Sequence, residues 1–421
     1  MAVPRLHRLA NGVTVVCDPI DGLQSFALSV VAGRGARSES EAQSGWSHLL
    51  EHMVFKGAGG RSALQIVEAV ERQGGSINAA TGYERTSFQI RALSGGLELG
   101  MATTADLVLH PTLDAEELRR EKQVVEQEIA EAADTPDDHI FELAQQAAFE
   151  GQPLGRPILG EPPTVDAATV EGLADWRAGL YAPDRLVVSA SGAVDEDELL
   201  RLAERFFGEA TGRPLDEAEP ATFVGGLRPL SRRLEQAHLV WLLPAPGSRD
   251  PDYFTLRIFA EALGGGMSSR LFQEARERRG LAYSIDAWAD SYTDVGVLGV
   301  YAGAAPKDAA ELAKVAAGEL RGLAEQIGAD ELERAKAQLK AHLFMAREAP
   351  TVRAEQAAGQ VLLFGRLIPP ADLAEGIDAV TPADLVRLGE RLLAPKATAA
   401  AVLGPKSALS AAEGFQRALH Q

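Results

Sequence analysis

The sequence predicts an α+β fold of two homologous domains, each a mixed or antiparallel β-sheet flanked by α-helices. Strand-like runs rich in Val, Leu and Ala open both halves of the chain, at 12–17, 25–32, 238–244 and 297–303. Helical patterns follow these strands in both halves, at 114–133 and 307–347. Residues 115–125 also realign with 329–339, an offset of 214 residues, which is typical of an internal duplication.

The domain boundaries follow from this repeat and from local composition. A chain of 421 residues is long enough for about two to three domains. The stretch at 216–222 is acidic and has Pro and Gly nearby, a composition typical of a linker. We therefore predict a first domain at 1–212, a linker at 213–228 and a homologous second domain at 229–421.

Composition and charge narrow the class of protein. Hydrophobic residues make up 46% and charged residues 24% of the chain, values typical of a soluble globular protein. The net charge of −19 disfavours nucleic acid as a partner, because phosphates repel an acidic surface. Such a charge suits cationic peptides in an acidic cavity, although many proteins carry it for solubility alone.

Three features of the sequence indicate a cytoplasmic protein. The single cysteine, Cys17, excludes an internal disulfide and lies in a strand-like run, where a buried and inert thiol is expected. Residues 1–8 have neither the apolar core of a signal peptide nor an Arg- and Ser-rich transit pattern. No run approaches the roughly 18 apolar residues that a membrane-spanning helix needs, so we expect no membrane contact.

The run His48-Leu49-Leu50-Glu51-His52 carries the most specific chemistry in the chain. It has the form His-x-x-Glu-His, the inverted zinc-protease signature, and leads into an apolar helical stretch. At about 100° per residue, its imidazoles and carboxylate fall within roughly a 100° arc of that helix. His48 and His52 can then hold one zinc ion, and Glu51 can deprotonate a water bound to it. Because His and Glu are also ordinary helix-surface residues, the pattern needs a third ligand.

The helical pattern at 114–133 supplies that ligand. Its apolar stripe contains two glutamates, Glu121 and Glu128, spaced about two turns apart. Two unpaired carboxylates on a buried face would cost several kcal/mol, and a metal ion or a buried imidazole removes that cost. We predict that Glu128 is the third zinc ligand and that Glu121 orients a ligand histidine. The alternative is a wide amphipathic helix whose two glutamates reach water.

With these motifs the chain resembles the pitrilysin family of zinc metallopeptidases, the inverzincins, and within it the bacterial relatives of mitochondrial processing peptidase. That family has a glutamate at the spacing found here, where Glu128 lies 76 residues after His52. Supporting matches lie at 55–57, 77–79, 155–160, 264–272 and 280–284. The resemblance spans nearly the whole chain and implies that the first domain is the catalytic one.

The second copy lacks the metal residues. At the offset of the repeat, Glu121 becomes Ala335 and Glu128 becomes His342. No second His-x-x-Glu-His occurs, so His342 is more simply explained as a core or surface histidine. We therefore expect a duplicated fold in which only the first copy kept its zinc site.

The resemblance also implies roles for four other residues. In the family, an arginine and a tyrosine from the inactive half reach the zinc site, which here implies that Tyr283 bonds the developing oxyanion and Arg276 holds the substrate. From the sequence alone, both could instead belong to a basic helix end before a Gly280 cap. The resemblance further implies that Asn78 and Ala79 pair an extended substrate with a sheet edge, although Asn78 could be an ordinary turn residue.

The sequence therefore predicts a zinc metalloendopeptidase with one zinc ion per chain and a peptide substrate. Family members of this length enclose the substrate between two chains, which implies a dimer. Because the metal motif, Arg276 and Tyr283 are all present, a homodimer is sufficient. Two alternatives stay open: the zinc subunit of a heterodimeric peptidase, and a non-proteolytic structural subunit like the core subunits of respiratory complexes that share this fold. The complete metal motif argues against the structural subunit.

Overall fold

The computed structural model describes residues 4–213 and 215–421. Its strands are β1 (Arg5–Arg8), β2 (Thr14–Pro19), β3 (Ser25–Ala32), β4 (Gly57–Ala58), β5 (Arg61–Ser62), β6 (Ser76–Thr81), β7 (Thr86–Leu93), β8 (Leu186–Gly192), β9 (Gly226–Ser231), β10 (Ala237–Ala245), β11 (Ser284–Ser291), β12 (Gly296–Ala304) and β13 (Ala399–Gly404). Its helices are α1 (Trp46–Val54), α2 (Ala63–Glu71), α3 (Leu97–Leu109), α4 (Ala115–Asp134), α5 (Pro136–Ala148), α6 (Pro162–Asp166), α7 (Val170–Leu180), α8 (Glu196–Phe207), α9 (Tyr253–Gly264), α10 (Ala309–Glu325), α11 (Ala329–Ala346), α12 (Pro350–Phe364), α13 (Pro370–Asp378), α14 (Pro382–Leu393) and α15 (Ala411–Leu419). Pro214 belongs to the predicted linker and lies outside the described residues. Residues 1–3 also lie outside them, and they belong to the N-terminal segment in which we predict no targeting signal.

The described residues form two compact units that interleave along the chain. The first unit takes the described residues up to 130, 157–218 and 345–368, and the second takes 131–156, 219–344 and 369–421. Helix α5, from the first half of the sequence, packs on the sheet of the second unit, and α12 packs on the sheet of the first. The compact units and the two sequence halves are therefore different divisions of the chain.

The sheet of the first unit has six strands in the order β1-β2-β8-β3-β7-β6. β2 and β8 are parallel and the other neighbours are antiparallel, so the sheet is mixed, as predicted. Its central strands are buried on both faces: Val15 and Cys17 enter the main core, whereas Val16 packs against α12. This double burial explains why these strands have continuous apolar runs rather than alternating ones.

A buried ion pair anchors α12 to this sheet. The Arg353 guanidinium donates to both carboxylate oxygens of Asp18, at 2.6 and 2.5 Å, and both side chains are almost fully buried. The Ser191 hydroxyl donates to the same carboxylate at 3.1 Å. Because removal of one partner from a buried pair typically costs about 3–5 kcal/mol, this contact holds α12 on the sheet.

The second unit repeats the architecture with five strands in the order β11-β12-β10-β13-β9. Only β13 and β9 are parallel. Its core contains Trp241 and Phe415, whose rings stack with centroids 4.8 Å apart. The predicted fold class, two homologous sheet-and-helix units, is therefore confirmed.

Cys17 is fully buried in the first unit, and burial raises the pKa of its thiol to about 12. Because the thiolate is the reactive form, this cysteine is inert at neutral pH. Within the described part of the chain, no helix combines the length and apolar character that crossing a membrane requires.

Candidate metal centre

Helix α1 carries the zinc-protease motif, and close contacts fix where it begins. Gly45 precedes the helix with φ of 89°, and a Cβ there would lie 2.6 Å from the Leu159 carbonyl oxygen. Gly45 has no side chain to cap the helix, so the buried Glu39 carboxylate does so. It accepts hydrogen bonds from the N–H groups of Gly45 (2.9 Å) and Ser47 (2.6 Å). With its start fixed, the helix buries its apolar side and presents the polar side chains of the motif together.

The three predicted ligands lie close together. Glu128 Oε2 is 3.8 Å from His48 Nε2 and 3.5 Å from His52 Nε2. One potential ligand atom from each residue lies within 4.8 Å of the other two, and among residues 4–213 and 215–421 no other such group of three occurs. Tetrahedral zinc with bonds of about 2.0–2.1 Å holds its ligand atoms roughly 3.3 Å apart. The donor set therefore fits one zinc ion with little movement.

The two imidazoles are also suited to bind a metal ion. Burial, together with the neighbouring His52, lowers the pKa of His48 to about 4, so this ring is neutral at neutral pH. His52 Nδ1 lies 3.1 Å from Glu121 Oε2, so the Nδ1–H group donates to this carboxylate. The other ring nitrogen, Nε2, lies 3.5 Å from Glu128 Oε2, on the side of the ligand cluster.

Glu121 links His52 to Lys56. Its carboxylate is buried, and it accepts from the Lys56 ammonium at 2.7 Å as well as from His52. The positive charge of the Lys56 ammonium compensates the negative charge of the buried Glu121 carboxylate. The carboxylate therefore needs no further counter-charge while it orients the His52 imidazole. The sequence motif itself does not include Lys56. Lys56 lies beyond Val54, the last residue of α1, so helix periodicity does not place it beside His52.

Glu51 is held by the end of β6. The Thr81 hydroxyl donates to Glu51 Oε2 at 2.5 Å. Burial raises the pKa of Glu51 above its ordinary value, while the Thr81 hydrogen bonds act in the opposite direction. A carboxylate with a raised pKa accepts protons more readily, which suits a general base.

Strand β6 is the edge of its sheet next to α1, and in the described structure it pairs only with β7. The Gly82 N–H donates to the Arg85 carbonyl at 2.7 Å, which makes these two residues a hydrogen-bonded pair. Hydrogen-bonded and non-hydrogen-bonded pairs alternate along an antiparallel ladder. Counting back from Gly82, the backbone N–H and C=O of Asn78 bond to β7, whereas those of Ala79 point to the open edge. The Asn78 side chain is exposed on the strand face opposite Ala79, which packs on the core.

Arg276 and Tyr283 belong to the second compact unit. The Arg276 guanidinium lies over the Phe272 ring, 4.7 Å from its centroid. Tyr283 is 60% exposed, and its backbone N–H donates to the Gly303 carbonyl at 2.8 Å. The structure thus gathers the metal-side residues in the first unit, and the roles assigned to Arg276 and Tyr283 stay predictions.

Two further contact residues escaped the sequence analysis. Glu39 lies six residues before Gly45, and no spacing rule connects a loop carboxylate to a helix start at that distance. Thr81 lies 30 residues from Glu51, on a different element. Strand alternation, which puts Thr81 on the same face as Ala79, is the only sequence signal for the second contact.

Comparisons with known proteins agree with this geometry. Residues 20–162 match the family model described as Insulinase (Peptidase family M16), and residues 167–339 match the model described as Peptidase M16 inactive domain. A protein from Rickettsia bellii, named an uncharacterized zinc protease, is 35% identical over 408 residues, which span 96% of this chain and 98% of that relative. The chain belongs to peptidase family M16. It is a zinc metallopeptidase, and the resemblance to the pitrilysin family is confirmed.

Solved structures share the fold of this M16 peptidase. A protease from Helicobacter pylori aligns with a TM-score of 0.90 and 22% identity, over 96% of this chain and 100% of the other. A chain of complex III2 from Candida albicans aligns with a TM-score of 0.85 and 20% identity, over 99% of both chains. At these identities the likeness concerns the fold alone.

Proposed function

We propose that this M16 peptidase is an endopeptidase that cleaves peptides or unfolded segments held as extended strands in an enclosed cavity. The observation that carries the proposal is the cluster of His48, His52 and Glu128 beside Glu51. Hydrolytic zinc sites use three protein ligands and keep one open position, and this cluster offers three. We assign one zinc ion to each chain.

Glu51 is the general base in this proposal. A zinc ion held by the three ligands would polarise the scissile carbonyl and acidify the attacking water. The Glu51 carboxylate takes the proton of that water, because burial raises its pKa and so its affinity for a proton. The same carboxylate then delivers the proton to the leaving amine. Glu121 and Lys56 keep the His52 imidazole oriented throughout.

The open edge of β6 is the proposed binding strand for the substrate. Ile77 and Ala79 direct their backbone groups to that edge, so an extended peptide can pair with them. Such pairing satisfies the peptide backbone and demands little of its side chains. The exposed side chain of Asn78 is the second proposed contact in this segment.

Arg276 and Tyr283 are proposed to complete the site from the second half of the chain. Tyr283 would donate to the developing oxyanion, and Arg276 would hold the substrate backbone. The sequence resemblance motivates both roles, and the exposure of Tyr283 leaves its phenol accessible. We propose a cytoplasmic homodimer that encloses the substrate, as the resemblance to the bacterial relatives of processing peptidase implies.

A non-proteolytic structural subunit is the second candidate function, because a chain of complex III2 shares this fold. The donor set of His48, His52 and Glu128 argues against it, since a purely structural subunit needs no such cluster. The third candidate is the zinc subunit of a heterodimer that takes its arginine and tyrosine from another chain. Arg276 and Tyr283 make that contribution unnecessary.

Digestion of a peptide library tests the proposal. The zinc-loaded protein should cut internal bonds, a chelator should stop the cleavage, and added zinc should restore it. His52→Ala should lose zinc and cleavage together. No cleavage by the zinc-loaded wild type would favour the structural subunit, and release of single terminal residues only would exclude an endopeptidase. Native mass measurement separates the homodimer from the heterodimer.

A further inference from the structure

The carboxylate of Glu51 is tied to the last residue of the proposed substrate strand. We propose that Thr81 is a positioning residue that fixes the orientation of this carboxylate and couples it to β6. This inference rests on the proposed function, because it concerns the same site. It adds a residue that neither the zinc motif nor the metal ligands include.

Strand geometry aims the Thr81 side chain at α1. Alternate residues of a strand share a face, so Thr81 lies on the same face of β6 as Ile77 and Ala79. Those two residues pack against the core that contains the buried side of α1. The Thr81 hydroxyl therefore meets the helix where Glu51 emerges, and it donates to Oε2 at 2.5 Å.

The backbone of Thr81 also faces the open edge. Thr81 and Thr86 are the pair that follows the hydrogen-bonded Gly82–Arg85 pair, so the Thr81 N–H points to the open edge rather than to β7. There it faces the Glu51 carboxyl and acts to lower the pKa of that group, against the larger effect of burial. Glu51 thus occupies the end of the same open edge along which Ala79 offers its backbone to a peptide.

In this arrangement the two carboxylate oxygens of Glu51 have different roles. Oε2 accepts from the Thr81 hydroxyl, and Oε1 is the oxygen that takes the proton of the attacking water in this proposal. A hydrogen bond to a charged group is stronger than one between neutral groups, so the hydroxyl restrains rotation of the carboxylate effectively. Without it the carboxylate would leave the geometry that proton transfer needs.

Replacement of the hydroxyl tests the inference. Thr81→Val keeps the β-branched shape and the backbone N–H but removes the hydroxyl donor. We expect kcat to fall roughly ten- to a hundredfold, with KM and zinc affinity unchanged. Thr81→Ser restores the donor and should recover most of the lost rate. Thr222→Val, the same substitution at an exposed position outside β6, is the matched control and should behave as the wild type.

Other outcomes would overturn the inference. Parallel losses of thermal stability and zinc affinity in Thr81→Val would assign Thr81 a purely structural role. A raised KM at constant kcat would instead indicate direct contact with the substrate. If the zinc-loaded wild type cleaves no peptide, the proposed function fails, and crystal structures of the wild type and Thr81→Val still decide the role of Thr81. A Glu51 carboxylate that turns in the variant supports positioning, and an unmoved carboxylate contradicts it.

Discussion

Helices α4 and α11 correspond in the sequence repeat, yet one position that both bury is filled in opposite ways. In α4, Glu121 is 4% exposed and bonds to His52 and Lys56. In α11 the corresponding residue is Ala335, also 4% exposed, among the apolar side chains of the second core. A carboxylate is therefore found at this buried position only in the copy where an imidazole and an ammonium compensate its charge.

The position of the third ligand also differs between the two copies. Glu128 lies within 4 Å of both histidine rings, whereas its counterpart His342 is exposed. Helix α9, which follows the first strands of the second half as α1 follows those of the first, buries Leu256, Phe259 and Leu263. Both helices bury an apolar side, so the architecture does not depend on the metal residues.

The largest expected effect is the loss of activity on replacement of residues that only the first copy has. Glu51→Gln keeps its shape and hydrogen bonds but cannot take a proton, so kcat should fall about 10²- to 10⁴-fold while zinc stays bound. Glu128→Gln should instead lose zinc, because it removes a ligand. Metal analysis alongside kinetics distinguishes the two variants, and the opposite pattern would exchange the two roles.

Tyr283→Phe tests whether the second copy contributes to catalysis at all. Loss of one oxyanion donor should reduce the rate by about 10²- to 10³-fold without change in zinc content. If Tyr283 serves the zinc of a partner chain, a mixture with Glu51→Gln should regain activity after subunit exchange, because some dimers then contain one intact site. No recovery despite demonstrated exchange would refute the trans arrangement and favour pairing within one chain.

Transfer of the α4 carboxylate to α11 tests the comparison from the other side. Ala335→Glu places a charge in the second core without an imidazole or ammonium designed to meet it. We expect the free energy of unfolding to fall by about 3–5 kcal/mol, measured by denaturant titration. Ala337→Glu, at an exposed position of the same helix, is the control and should be nearly neutral. Equal stability of both variants would remove the explanation for the difference between α4 and α11.

The smallest effect is expected from the link between Glu121 and Lys56. Glu121→Gln weakens the hydrogen bond that orients His52, and zinc affinity should fall about 10- to 100-fold. Lys56→Met should shift it in the same direction, because the carboxylate then loses its counter-charge. Competition with a coloured chelator measures both changes, with the exposed Glu131→Gln as control. Unchanged affinity in both variants would confine the role of Glu121 to folding.

The fold class and the three metal ligands could be predicted from the sequence, because residue patterns along single helices and strands indicate them. Contacts between elements that are distant in the sequence could not be predicted in this way. Helix periodicity alone predicts that His48 and His52 share one face of a helix. It also places Glu128 in the apolar stripe of α4. Strand alternation gives the face on which the Thr81 side chain lies, but no pattern of residue types encodes that β6 lies beside α1. Periodicity likewise gives α5 and α12 an apolar face but does not say which sheet each face covers.

Anomalous scattering at the zinc edge, from crystals of the zinc-loaded Glu51→Gln protein, tests the central claim most directly. This claim is that the first copy alone holds the catalytic metal. We predict one peak per chain, bounded by His48, His52 and Glu128, and no peak in the second half. A peak near α9 and α11, or the absence of any peak among the three ligands, would contradict the account.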